Sequence, residues 1–210
     1  SSADAPARRK GIYLLPNLLT TGALFAGFYA VLSGFTGQFE LAAIAIFAAM
    51  IFDGLDGRVA RMTNTQSDFG VQYDSLSDMV SFGVAPAVVA YGWGVSDLGK
   101  LGLAAAFVYA SCAALRLARF NVQAESSDGK VFTGLPSPAA AALVAGFVWS
   151  TYELAPSVAL SVLGAVLTAA AGLLMVSNFK YPSFKEVDLR GKVPFIVILS
   201  VVMGFVVITI

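Results

Sequence analysis

Long apolar runs separated by short polar breaks dominate the chain. Runs of about 20 residues, enough to cross a bilayer, fall at 16–36, 40–62, 72–93, 98–121, 137–154, 156–177 and 193–210. The pattern predicts helices, because a spanning segment must satisfy its own backbone polar groups. Strand-like alternation of the kind found in membrane β-barrels is absent. Only Pro156, shortly after Glu153, divides the fifth run from the sixth, so that boundary is soft. The expected fold is all-α, a polytopic transmembrane helical bundle forming one membrane-embedded domain over 1–210. Residues 1–13, with Arg8, Arg9 and Lys10, read as a polar cytoplasmic arm that sets topology or attracts anionic lipid.

The placement of basic residues orients this bundle. If the seven runs alternate, Arg8, Arg9, Lys10, Arg58, Arg61, Arg116, Arg119, Lys130, Lys180, Lys185, Arg190 and Lys192 share one side, and Lys100 alone lies on the other. Cytoplasmic loops are enriched in Lys and Arg, so that shared side is the cytoplasmic one. The expected location is the cytoplasmic (inner) membrane. The last run ends with no polar tail, so the C-terminus lies outside or the chain continues. The chain does not begin with Met, which suggests a trimmed start, and no cleavable signal pattern follows Arg8-Arg9-Lys10.

Composition agrees. Of 210 residues, 58% are hydrophobic and 12% charged, about half the charge of a typical soluble domain. There is no histidine, which excludes imidazole acid–base, nucleophilic and metal-binding chemistry. The single Cys112 cannot form an internal disulfide and reads as a small residue at a helix contact.

Against this background four carboxylates stand out. Asp53, Asp56, Gly57 and Ala60 form one stripe of a helix at about 100° per residue. Asp74 and Asp78 are i, i+4 on the next helix and share its face. A short polar linker makes the two helices antiparallel neighbours, so the acidic faces can meet. A charge at membrane depth is costly and usually functional. A single Asp-Gly pair is an ordinary turn signal, and a single acidic pair at a helix end is often merely solvated. All four on converging faces point to bound cations. Oxygen-only ligation suits Mg2+ or Mn2+, or Ca2+, and four carboxylates fit two divalent cations of the kind that clamp a phosphoryl group. Gly57 and Ala60 leave room beside the acids, and Gly70 permits close approach one turn before Asp74. Arg61 is placed to pair with phosphate. The alternative use of Arg58 and Arg61 is snorkelling at the interface.

The segment from Asp53 to Asp78 resembles the signature of the CDP-alcohol phosphotransferase family: Asp, two residues, Asp-Gly, two residues, Ala-Arg, a spacer, Gly, three residues, Asp, three residues, Asp. Every fixed position matches. The resemblance implies six core helices, here with at least one further C-terminal helix, and a two-metal site for a CDP-linked donor. It implies Asp53, Asp56 and Asp74 as metal ligands and Asp78 as ligand and catalytic base. It also assigns Gly57, Ala60 and Arg61, with Asp56, to the nucleotide and diphosphate.

Further segments narrow the resemblance. Leu15-Pro-Asn17-Leu-Leu-Thr20, Asp78-Met-Val-Ser81-Phe-Gly-Val-Ala-Pro86, Leu115-Arg-Leu-Ala-Arg119-Phe-Asn121 and Phe132-Thr-Gly-Leu-Pro136-Ser137-Pro138 are similar to bacterial and archaeal membrane-embedded phosphatidylserine synthases. The implied reaction transfers a phosphatidyl group from CDP-diacylglycerol to L-serine, releasing CMP. Arg116 and Arg119 are candidates for the serine carboxylate, or plain positive-inside anchors. Asn121 and Ser137 are candidates for its ammonium. Asn17 and Thr20 either cap the first helix or line the nucleotide pocket. Pro86 either kinks the third helix or is simply tolerated. Phe132–Pro138 reads as a substrate wall or an ordinary helix start. Other acceptors (glycerol phosphate, inositol phosphate, choline) keep the same chemistry. A divalent-cation transporter is the rival class, although the acids stay at one face. Membrane lipid is an expected partner and nucleic acid is not; homodimers are common in the resembled family.

Overall fold

A computed structural model describes residues 5–63, 65, 67–125, 134–154 and 157–178, with the backbone alone at 5–14, 124 and 125. The run 193–210, the basic residues beyond 178, Lys130, Phe132 and Pro156 lie outside the described residues, as do the side chains of Arg8, Arg9 and Lys10. Among the described residues the regular structure is entirely helical: α1 (Ala5–Phe35), α2 (Phe39–Thr63), α3 (Asp68–Asp78), α4 (Ala85–Trp93), α5 (Lys100–Glu125), α6 (Ser137–Thr151) and α7 (Val158–Val176). A π-helical turn, Met79–Val84, joins α3 to α4, so those two form one continuous path and the described residues form six rods. Leu15–Phe35, Lys100–Gln123 and Val158–Val176 are long and apolar enough to cross a membrane. α2 carries the acids and arginines, and α3–α4 is interrupted by its turn, yet both pack among the others.

α1 is longer than its apolar run suggests. Pro16 lies inside it instead of opening it. Ala, Arg, Lys and Leu upstream are good helix formers, and membrane helices tolerate an internal proline. Asn17 and Thr20 are therefore mid-helix residues, and the capping reading is overturned. The soft boundary between the fifth and sixth runs falls after Thr151. Ser157 restarts the chain as the cap of α7, its hydroxyl accepting from the Leu160 N–H at 3.2 Å.

Small residues decide which faces turn inward. Ala23, Ala26 and Ala30 of α1, Ala42, Ala43 and Ala49 of α2, and Ala140, Ala141 and Ala145 of α6 are buried. Leu18, Phe25, Phe28, Leu101, Phe107, Leu163 and Val166 are exposed. Lipid tails are as apolar as leucine, so close backbone approach through small residues drives the packing. α1 runs against α2 along its length and also meets α3, the π turn and α4. At Gly27 an added Cβ would sit 2.6 Å from Ser81 Cα, and at Gly172 it would sit 2.7 Å from Tyr109 Cα. Gly134, with φ 89°, brings the start of α6 onto the end of α7, where Leu135 N–H donates to the Leu174 carbonyl at 3.0 Å.

The π turn accounts for Pro86. Proline has no N–H to offer the Phe82 carbonyl four residues earlier. The buried Tyr109 hydroxyl of α5 donates to that carbonyl instead, at 2.9 Å. A π turn holds an additional residue, so α3 and its acids are rotated by about 100° against the packing face of α4 relative to an unbroken α-helix.

Gly27→Ala should lower thermal stability by about 2 kcal/mol through overpacking against Ser81. Gly146→Ala, which meets nothing within 4 Å, should be neutral or slightly stabilising. Thermal unfolding of both variants in detergent checks this contrast.

Candidate active site

The acids converge as their spacing predicts. α2 presents Asp53 and Asp56 near its C-terminal end, and α3 presents Asp74 and Asp78. Ser67 starts α3, its hydroxyl accepting from the Gly70 N–H at 3.0 Å. One carboxylate oxygen each from Asp53, Asp56 and Asp74 lies within 4.8 Å of the others. The Asp78 carboxyl lies beside that of Asp53. α2 and α3 make few close backbone approaches to each other, whereas α1 packs on both. The acidic side chains thus reach across a gap that α1 holds open.

Hydrogen bonds from α1 fix this arrangement. The Thr20 hydroxyl reaches Asp56 Oδ2 at 2.7 Å. The Ser77 hydroxyl donates to the Thr20 carbonyl at 3.2 Å, and the Ser81 hydroxyl to the Ala23 carbonyl at 3.0 Å. Thr21 and Tyr73 share a bond of 2.8 Å between their hydroxyls. Sequence reasoning missed Thr21, Tyr73 and Ser77. The i, i+4 pair Ser77 and Ser81, at the end of the acidic helix and in the turn after it, was the available signal.

The remaining candidates are distributed as follows. The Arg61 guanidinium leans over Gly57, with Nη1 3.5 Å from where a Cβ would be, and it faces Asp56. Ala60 is half-buried on the same stripe. The Asn17 amide lies beside Gly70. Arg116 is half-buried on α5 and faces Asp78, and its Nε is buried with no hydrogen-bond partner among the described residues. Arg119 is exposed and turned to the end of α7, where both its terminal nitrogens donate to Asn178 Oδ1 at 3.2 Å. Asn121 bridges to α3, accepting from Ser75 at 3.1 Å and donating to Gln72 at 3.2 Å. Ser137 is buried in the first turn of α6. Arg116 and Arg119, equivalent in sequence, therefore face different surroundings.

The donor set fits a hard divalent cation. At 4.8 Å and an effective dielectric of roughly 20, each pair of carboxylates repels by about 3 kcal/mol. Arg61 faces Asp56 and Arg116 faces Asp78. The oxygens are hard, anionic and close enough to share an ion.

Comparison with known proteins agrees with this geometry. Residues 13–177 match the CDP-alcohol phosphatidyltransferase family. The chain is 40% identical over 198 residues to a CDP-diacylglycerol–serine O-phosphatidyltransferase of Helicobacter pylori, covering 93% of this chain and 83% of that protein. It is 35% identical over 172 residues to the enzyme of the same name from Bacillus subtilis, covering 82% and 92%. Its fold is similar to the crystal structure of Mycobacterium tuberculosis phosphatidylinositol phosphate synthase, with TM-score 0.55 and 20% identity over 78% of this chain and 84% of that one. The aspartate signature, the helical bundle and the match over most of its length place this chain in the CDP-alcohol phosphatidyltransferase family.

Proposed function

We propose that the protein transfers the phosphatidyl group of CDP-diacylglycerol to L-serine, giving phosphatidylserine and CMP, at the cytoplasmic face of the inner membrane. The observation that carries this reading is the convergence of Asp53, Asp56 and Asp74 with Asp78 and Arg116 beside them. The names of the Helicobacter and Bacillus relatives support serine as the acceptor.

In this reading Asp53, Asp56, Asp74 and Asp78 hold two divalent cations, Mg2+ or Mn2+. When bound, the cations neutralise the donor diphosphate and stabilise the charge that develops on CMP. Gly57 and Ala60 leave space for the nucleotide, Asn17 lines it from α1, and Arg61 pairs with phosphate. Arg116 takes the serine carboxylate, which satisfies its orphaned Nε. Asn121, half-buried on α5, meets the ammonium, whereas Ser137 at 3% exposure is too buried to do so. Asp78 accepts the proton of the serine hydroxyl. The serine oxygen attacks the lipid-linked phosphorus, one P–O bond forms as the bond to CMP breaks, and the configuration at phosphorus inverts once. Aspartate is a weak base for an alcohol, so positioning and charge supply most of the rate, with the base contributing about 10²–10⁴-fold. The acyl chains stay in the bilayer, beside the exposed apolar faces of the bundle.

Three outcomes test this. CMP release from CDP-diacylglycerol should depend on L-serine and not on glycerol phosphate, inositol phosphate or choline; equal release with another alcohol reassigns the acceptor. Asp78→Asn should abolish turnover yet retain donor binding, and near-normal turnover would remove Asp78 as the base. Arg116→Ala should raise the KM for serine by about 10–100-fold, the cost of losing a charged hydrogen bond, while Arg119→Ala should change it less than threefold. Equal effects would remove the distinction drawn between the two arginines.

A further inference from the structure

We propose that Thr20 is a positioning residue of the acidic site, holding Asp56 through its hydroxyl and α3 through its carbonyl. This rests on the reading of the four aspartates as cation ligands. It departs from the expectation that Thr20 lines the nucleotide pocket.

Three observations carry it. First, Thr20 is 4% exposed and Asp56 5% exposed, so the hydroxyl has almost no surface left for a substrate. Asn17, one turn earlier on α1, is half-buried and lies at the Gly70 side of the gap. Second, the hydroxyl lies 2.7 Å from Asp56 Oδ2 and 3.0 Å from the Pro16 carbonyl. It has one proton to give. A threonine within a helix ordinarily bonds back to the carbonyl four residues earlier. Here the shorter contact is to the carboxylate, where an ionised acceptor makes the stronger bond. That bond fixes the plane of the carboxyl group. Third, the Thr20 carbonyl accepts from Ser77, which lies between Asp74 and Asp78 on α3. One residue of α1 therefore touches both acid-bearing helices and sets their relative placement where their backbones hardly meet. Groups that hydrogen-bond a ligating carboxylate tune metal affinity strongly.

The test is a Mn2+ titration of the purified protein in lipid nanodiscs, read by the EPR signal of free Mn2+, with no CDP-lipid present. Thr20→Val removes the hydroxyl and keeps the shape. It should weaken Mn2+ binding by about 10–100-fold, with an unchanged unfolding temperature. Thr20→Ser restores a hydroxyl and should bring affinity back to within threefold of the parent protein. At saturating Mn2+, the KM of Thr20→Val for the CDP-lipid should stay within threefold of the parent value. If the valine variant does not fold, Thr20→Ala provides the same comparison. Normal Mn2+ affinity in the valine variant overturns the assignment, and a raised donor KM with unchanged Mn2+ affinity returns Thr20 to the nucleotide pocket. Failure of the parent protein to bind Mn2+ overturns the cation reading itself, and the role of Thr20 with it.

Discussion

Mutual repulsion of carboxylates inside an apolar bundle is the constraint on which the structure turns. Asp53, Asp56 and Asp74 offer oxygens within 4.8 Å of one another, in a setting that screens charge far less than water does. A fold optimised for stability alone would separate them or give each a cation of its own. This one does the opposite. It splits them between two helices that scarcely touch and packs α1 against both. The hydroxyls of Thr20, Ser77 and Ser81 tie the three elements together. The energy to hold the acids together comes from small-residue packing elsewhere in the bundle.

That packing also explains the gap. Gly27 lets α1 press onto the π turn at Ser81, which seats α3 on α1 and not on α2. The turn itself is stabilised from α5 by Tyr109. Four helices thus take part in aiming two pairs of aspartates, while α6 and α7 complete the bundle around α2 and α5. The arginines follow the same division. Arg61 travels with α2 and faces Asp56; Arg116 comes from α5 and faces Asp78.

Much of this was legible in the sequence, for identifiable reasons. The spacing from Asp53 to Asp78 places residues on faces by helical geometry alone, and only one arrangement makes all four acids useful. The apolar runs located the six described rods because a helix in lipid must be long and mostly apolar. Other features depended on contacts distant in sequence. Thr20 meets Asp56 thirty-six positions later, and nothing in Pro-Asn-Leu-Leu-Thr discloses that partner. Pro16 looked like a helix start and proved internal, which removes the capping alternative for Asn17 and Thr20. The π turn was hidden because Pro86 signals a distortion without saying which kind, and because the compensating hydroxyl belongs to α5. Nor does apolarity distinguish core from lipid-facing surface here: exposed Phe25 and buried Phe82 are alike in composition and differ only in what lies opposite.

The most direct test of the central claim is CMP release by purified protein stripped exhaustively of metal ions. Activity should vanish on chelation and return on adding Mn2+ or Mg2+, with two ions required per chain. Full activity in the stripped protein would contradict the account, because turnover would then need none of the ions assigned to the aspartates.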